Sequence, residues 1–248
     1  MKSDARRAVY HLFKVFAQKT LQTYDVEKLK RAYPFHRLFF DELGLVAAKQ
    51  ERSIVTKMGQ SLYPELARLI AIEKYSDVML EQTIDGTLNV AMVNKIDEIV
   101  RDLRARQRRP NHAQEMAEIL GAAAGAAEKY VRVIADVYIG DFEGGPFFAE
   151  LKTPQPNLDI CAESKSKILT VKTLLREQHP KAYLAFYYNP FITRVAYAHS
   201  FTKQIMDMQT EVLMGEEFWD AIGGSGTFSQ ILEIIDQVGN EIREEKGK

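Results

Sequence analysis

The sequence predicts an α/β protein in which a mixed β-sheet is flanked by helices and the N-terminal half is largely helical. Two observations carry this prediction. Residues 131–152 hold two β-rich runs, VRVIADVYI and PFFAELK, around the turn-forming centre GDFEGG, a pattern typical of a β-hairpin. A helical segment and then an apolar run of strand length, AYLAFYY at 182–188, follow the hairpin. This order indicates a right-handed crossover into the same sheet.

Helical patterns dominate the first part of the chain. Apolar residues recur at helical spacing from Val9 to Phe16. Pro64 suits the first turn of a helix that runs through Ile72. Residues 89–106 carry an apolar stripe with polar residues on the other face, which predicts an amphipathic helix.

Three further boundaries follow from local chemistry. Gly44 is predicted to end a helix, and the alanine-rich residues 113–128 are predicted to form one. After the hairpin, either Asn157 or Asp159 is suited to cap a helix that continues to about Gln178, because both side chains accept hydrogen bonds from free backbone N–H groups.

The C-terminal part alternates short elements. Residues 192–199, ITRVAYAH, are interpreted as a further strand and residues 201–209 as a helix. Residues 215–224 resemble a short helix that glycines stop, and residues 227–245 form an amphipathic helix. The GGSG sequence at 223–226 lacks the following Lys-Ser/Thr of a phosphate-binding loop.

Composition excludes several classes of protein. The net charge is −1, so no overall electrostatic attraction to nucleic acid is expected, although a local basic groove stays possible. The single cysteine, Cys161, excludes an intramolecular disulfide and a cysteine-rich zinc site, and the five histidines show no metal-ligand spacing. No run of 18 apolar residues and no signal-peptide core are present, so a cytoplasmic protein without a membrane segment is expected.

Three ionisable residues interrupt the apolar hairpin: Asp136 in its first strand, and Glu150 and Lys152 in its second. Asp136 and Glu150 are each seven positions from Glu143, which makes them approximate cross-strand partners. Opposed carboxylates repel each other, and a divalent cation such as Mg²⁺ removes that repulsion. The pattern therefore favours metal-assisted hydrolysis of a phosphodiester, and the simpler alternative is a surface strand pair with a Lys–Glu ion pair.

Two other charged groups also have two interpretations. Five arginines lie between residues 101 and 109, where they either contact DNA phosphates or form a solvated helix end that complements the helix dipole. Glu115 and Glu118 either supply a further metal ligand or belong to a solvated helix face.

Four segments in the C-terminal half, ADVYI, FFAELKTPQPN, YYNPF and GEEFWDAIGGSGTF, give the chain its resemblance to a known family. In this order they resemble the TdeIII-type Type II restriction endonucleases of the PD-(D/E)XK nuclease superfamily. The resemblance spans residues 130–235. It implies a PD-(D/E)XK core, of which the sequence pattern gives two of the three meander strands expected before the crossover helix.

The resemblance also implies roles for the hairpin residues. Asp136 stands for the motif aspartate, preceded here by Ala135 instead of proline, and Glu150 for the second metal ligand. Lys152 is the motif lysine, and the backbone carbonyl of Leu151 would complete a Mg²⁺ site.

The resemblance further implies a homodimer that cuts both strands of double-stranded DNA at a near-palindromic site of the GGNCC type, with a cognate DNA methyltransferase in the same system. Arg194 and Lys203 are candidates for reading guanine. The chain then divides into a helical region, 1–110, suited to dimerisation or DNA contact, and a nuclease core with C-terminal helices, 111–248.

Two other functions fit the same residues. One is a structure-specific repair or recombination nuclease, which cuts flaps or junctions without sequence preference. The other is a catalytically silent DNA-binding protein whose acidic hairpin residues are structural.

Overall fold

The computed structural model describes residues 1–20 and 23–246, which form two compact units. One unit comprises Met1–Leu66 with Ser229–Lys248, and the other comprises Ala67–Phe228. Along the chain the helices and strands are α1 (Ser3–Thr20), α2 (Val26–Ala32), α3 (Glu42–Lys57), α4 (Tyr63–Ala71), β1 (Val78–Asn89), α5 (Val90–Arg104), α6 (His112–Gly121), β2 (Glu128–Ile139), β3 (Phe147–Lys152), α7 (Leu158–Leu174), β4 (Lys181–Phe186), α8 (Ser200–Ile205), β5 (Val212–Met214), α9 (Glu216–Gly223) and α10 (Thr227–Lys246).

The first unit is helical. Lys14 of α1 pairs with Glu241 of α10, with 2.9 Å between Nζ and Oε2. A short 3₁₀ turn, Pro34–Leu38, connects α2 to α3 and leaves large apolar side chains in solvent. Among the residues described, no helix of either unit combines the length and the apolar character that crossing a membrane requires.

The second unit holds a five-stranded mixed sheet in the order β1-β2-β3-β4-β5. The pairs β1–β2 and β2–β3 are antiparallel, and the pairs β3–β4 and β4–β5 are parallel. The parallel step from β3 to β4 runs through α7, which Asn157 caps by accepting a hydrogen bond from the backbone N–H of Ile160. The predicted α/β class, with a mixed sheet between helices, is confirmed.

The third meander strand, which the sequence pattern did not give, is β1. It pairs with β2 over eleven residue pairs. Its sequence, VMLEQTIDGTLN, contains charged residues and a glycine among the apolar residues, so its local strand propensity is weak. The long pairing with β2 stabilises the strand.

Three predicted boundaries are wrong. Gly44 lies in the first turn of α3, where Asp41 accepts a hydrogen bond from its N–H. The helix predicted over 113–128 ends at Gly121, and β2 begins at Glu128. Residues 192–199 form turns instead of a strand, since Ile192 has a φ of 69°, in the left-handed region.

Candidate active site

The hairpin places two carboxylates where its strands stop pairing. The β2–β3 ladder has three pairs and ends at Val137 and Ala149. Asp136 and Glu150 are the next residue on each strand. Instead of a backbone carbonyl, the side chain of Asp136 accepts the N–H of Leu151, with 2.6 Å between Oδ2 and N. The end of the ladder is therefore closed by an aspartate side chain.

Lys152 joins the two carboxylates. Its Nζ lies 2.7 Å from Glu150 Oε1 and 3.5 Å from Asp136 Oδ2. The Glu150 side chain is only 6% exposed, whereas those of Asp136 and Lys152 are 30% and 29% exposed. The structure thus brings together the three hairpin residues that the sequence singled out, with one face open to solvent.

A fourth residue, Lys167 of α7, completes the group. Its Nζ donates to Glu150 Oε1 at 2.8 Å, so two lysines share one carboxylate oxygen. The sequence gives no indication of this role for Lys167, because a contact between a helix and a strand residue seventeen positions earlier leaves no local signal. We call Asp136, Glu150, Lys152 and Lys167 the β2–β3 cluster.

The β2–β3 cluster leaves one carboxylate poorly compensated. Burial raises the pKa of Asp136, and the neighbouring charge of Glu150 raises it further. Lys152 and the N–H of Leu151 lower it, but the pKa of Asp136 still lies above its ordinary value. A further positive charge near Asp136 and Glu150 would therefore be stabilising.

This cluster offers oxygen atoms that suit a hard divalent cation as ligands. Glu150 Oε2 is buried and has no hydrogen-bond partner among the described residues. The N–H and C=O of one strand residue point to the same edge, so the carbonyl of Leu151 shares the Asp136 side with its N–H. Carboxylate and carbonyl oxygens are the ligands that Mg²⁺ takes in proteins.

A second group of charges is sealed inside the unit. Lys165 Nζ lies 2.6 Å from both carboxylate oxygens of Glu211 and 2.5 Å from Glu115 Oε2, and all three side chains are fully buried. His112 Nδ1 lies 2.9 Å from Glu211 Oε1. We call His112, Glu115, Lys165 and Glu211 the buried cluster.

Ligand atoms of His112, Glu115 and Glu211 lie within 4.8 Å of one another, close enough for a metal ion. Lys165 already supplies the positive charge there, so this group is a salt-bridge network. Burial raises the pKa of Glu211, but the hydrogen bond with His112 and the charge of Lys165 outweigh it and hold that pKa below its ordinary value. Glu115 is thus a structural residue.

The two residues suggested for base reading differ. The guanidinium of Arg194 donates to the carbonyls of Met208 and Val212 and pairs with Glu217. Reading a base would cost all these contacts, so we correct its assignment: Arg194 anchors the loop after β4. Lys203 of α8 is exposed and has no acidic partner among the described residues.

Comparisons with known proteins give a consistent result. A family model described as "Type II restriction endonuclease, HinfI" matches residues 1–239. The chain is 31% identical over 239 residues to the Type II restriction enzyme HgiCII of Herpetosiphon aurantiacus, covering 91% of this chain and 87% of that protein. It is 32% identical over 212 residues to the Type II restriction enzyme HgiEI of the same organism, covering 83% and 77%.

The similarity extends to a more distant organism. The chain is 26% identical over 256 residues to the Type II restriction enzyme MjaII of Methanocaldococcus jannaschii, covering 87% of this chain and 65% of that protein. No solved structure matches the chain.

Proposed function

This chain belongs to the HinfI family of Type II restriction endonucleases, and from that premise we propose that its β2–β3 cluster cleaves both strands of DNA at a near-palindromic site with the help of Mg²⁺. The proteins it resembles are named as Type II restriction enzymes, so the chain is a site-specific deoxyribonuclease. The identity of the metal, the catalytic residues and the recognition sequence are what we propose.

The observation that carries the proposal is the accessible carboxylate of Asp136, which Lys152 contacts only at 3.5 Å, beside the unpartnered Oε2 of Glu150. At this site, Asp136, Glu150 and the carbonyl of Leu151 would hold Mg²⁺. The ion, when bound, neutralises charge that develops on the phosphate. The raised pKa of Asp136 and the unpartnered Oε2 of Glu150 support this assignment, because both indicate a place for added positive charge.

Lys152 is assigned the positioning of water and the electrostatic stabilisation. Its ammonium lies between both carboxylates, on the exposed side of the cluster. From there it positions the attacking water and offsets negative charge on the pentavalent phosphate. Lys167 has a different role, because it contacts Glu150 alone within this pair of carboxylates. It holds the Glu150 side chain in place and shares the compensation of its charge with Lys152.

We propose a homodimer, since two-fold symmetry is the simplest way to place one active centre on each strand of a near-palindrome. The segment between α2 and the first turn of α3 supports it. Phe35, Leu38, Phe39 and Leu43 are 78–86% exposed there. A cluster of large apolar side chains in solvent is typical of a protein–protein interface.

The recognition sequence is proposed to be of the GGNCC type, and the cytoplasm, where the chain meets DNA, is its proposed location. A cognate DNA methyltransferase is the proposed partner in the same system. This methyltransferase would protect the recognition sites in the host DNA, which the nuclease would otherwise cut.

The direct test is digestion of a sequenced phage DNA by the purified protein in Mg²⁺. We expect discrete fragments whose mapped ends share one short near-palindrome of the GGNCC type, and no fragments in EDTA. Fragments with another shared sequence would overturn the proposed specificity alone. Cutting only at flaps or junctions would contradict a restriction activity, and intact DNA would contradict catalysis by the β2–β3 cluster.

A further inference from the structure

A cleft of about 670 Å³ lies between the segment that joins α5 to α6 and the helix α8. Residues 106–110 form one wall, and residues between Ser200 and Met208 form the other. Four cationic side chains line it: Arg106, Arg108, Arg109 and Lys203. Three of them belong to the arginine cluster for which the sequence left two interpretations open.

Most of this positive charge is not compensated. Arg108 pairs with Glu118 at 2.8 Å. Arg106 donates from Nε to the neutral side chain of Gln204 at 3.0 Å. Within the described part of the chain, Arg109 and Lys203 have no acidic partner. The cleft therefore carries a net positive charge in a protein whose overall charge is −1.

One acidic side chain, Asp207, also lines the cleft. Its carboxylate accepts the backbone N–H of His112 at 3.1 Å and that of Gln209 at 3.0 Å. These contacts hold Asp207 between its own loop and the first residue of α6. Its single negative charge does not balance the charges of Arg106, Arg109 and Lys203.

The cleft has a fixed shape. The Gln204 amide donates to the carbonyls of Leu103 and Arg104 at the end of α5, both at 3.0 Å, and the carbonyl of Leu103 also accepts the N–H of Arg106. Arg106, with a φ of 58°, is the left-handed residue of a Schellman motif, in which the N–H of Gln107 donates to the carbonyl of Asp102. This motif fixes the backbone at the end of α5, and the Gln204 contacts join that end to α8.

The cleft is tied to the segment that follows Lys152. Arg104, the last residue of α5, pairs with Asp159 in the first turn of α7, with 2.6 Å between Nη2 and Oδ1. Tyr197, just before α8, donates to the carbonyl of Pro154 at 2.5 Å. Asp159 is seven positions after Lys152. This stretch of chain spans at most ~25 Å, which is less than one turn of B-DNA at about 34 Å.

We propose that this cleft is a binding site for DNA backbone phosphates, with Arg106, Arg109 and Lys203 as its cations. The proposal rests on the proposed nuclease function and adds to it a place where the duplex is held beside the β2–β3 cluster. Phosphate contacts carry no sequence information, so the cleft strengthens binding to every duplex equally. Arg106 and Arg109 thereby take the phosphate-contact interpretation of the arginine cluster, and Lys203 is reassigned from base reading to phosphate contact.

The test is the salt dependence of DNA affinity, measured by fluorescence anisotropy on duplexes with and without the mapped site, in Ca²⁺ to prevent cleavage. For the variant Arg109→Ala/Lys203→Ala, we expect weaker binding to both duplexes. The slope of log affinity against log salt should become shallower by about 1.8, because each phosphate contact contributes about 0.9. Arg106 stays unchanged, since its backbone closes α5.

The control variant is Arg101→Ala/Arg176→Ala, which removes the same formal charge. Each of these arginines already pairs with the acidic residue that follows it, Asp102 or Glu177. We expect this control to keep the wild-type slope. Thermal unfolding at wild-type temperature would establish that both variants fold.

Each other outcome overturns a defined part of the account. An unchanged slope in the cleft variant would exclude the cleft as a phosphate site while leaving the nuclease proposal intact. An equal change in the control would show a general charge effect and also exclude the cleft. A wild-type protein that binds no duplex at any salt concentration would overturn the nuclease proposal together with the cleft.

Discussion

The β2–β3 cluster and the buried cluster each contain a lysine within 3 Å of a carboxylate. The two clusters differ in how far solvent reaches them and in how fully each carboxylate is paired. In the buried cluster, Lys165 touches both Glu115 and Glu211, and all three side chains are sealed from solvent. In the β2–β3 cluster, one face is open and Asp136 has a raised pKa.

The difference separates a group that stabilises the fold from one that can do chemistry. The buried cluster joins α6 and α7 to the residue before β5, and its positive charge is already in place. In the β2–β3 cluster, both lysines contact Glu150, and Asp136 has only the more distant contact with Lys152 at 3.5 Å, at a strand end that is open to solvent. Perturbed carboxylates in accessible positions are typical of functional sites, whereas satisfied, sealed ones are typical of structural networks.

The largest stability change should come from Lys165→Ala. Removing this ammonium leaves two buried carboxylates without their cation, and breaking such a pair costs about 3–5 kcal/mol in the free energy of unfolding. Urea unfolding measures it. The matched control is Lys152→Ala, which removes the lysine of the other cluster.

Lys152 is 29% exposed, and water can replace its contacts, so its removal should cost less than about 1 kcal/mol. Equal losses in the two variants would contradict the distinction between the clusters.

A smaller change with the opposite sign is expected for Asp136→Asn. Because the folded-state pKa of Asp136 is raised, its ionisation destabilises the protein above that pKa. The asparagine variant should therefore be more stable than the wild type at neutral pH. The gain should shrink as the pH falls through the raised pKa and vanish below the ordinary value of 3.8.

The measurement for Asp136→Asn is urea unfolding of both proteins across this pH range. Glu211→Gln is the comparison variant. Since the pKa of Glu211 is lowered, its contribution to stability is present above 4.5 and is lost as the pH falls through the folded-state pKa. A gain for Asp136→Asn that persists in acid would show that like-charge repulsion and burial at this strand end are not its origin.

The sequence predicted those parts of the fold that local chemistry specifies. The hairpin follows from its own apolar runs and glycine turn, and α7 follows from its Asn157 cap. Asp136, Glu150 and Lys152 could be found because a seven-residue symmetry about the turn brings them together. Strand β1 could not be found, since its stability comes from pairing with β2 some fifty residues later.

Residues whose role depends on distant partners were also beyond the sequence. Lys167 acts through Glu150 on another element, and Arg194 is turned inward by carbonyls 14 and 18 residues away. In the same way, Arg108 pairs with Glu118 whereas Arg109 has no acidic partner among the described residues, and the sequence does not distinguish these two neighbouring arginines. The sequence shows the type of each residue, whereas only the folded chain shows which partners compensate its charge.

The most direct test of the central claim, that the β2–β3 cluster is catalytic, compares cleavage and binding by Lys152→Ala. In Mg²⁺ we expect its cleavage rate to fall by at least about 100-fold, the cost of removing one donor from developing charge. In Ca²⁺ its affinity for DNA carrying the mapped site should stay at the wild-type level. Full cleavage by the variant would contradict the assignment of Lys152 and with it the proposed active site.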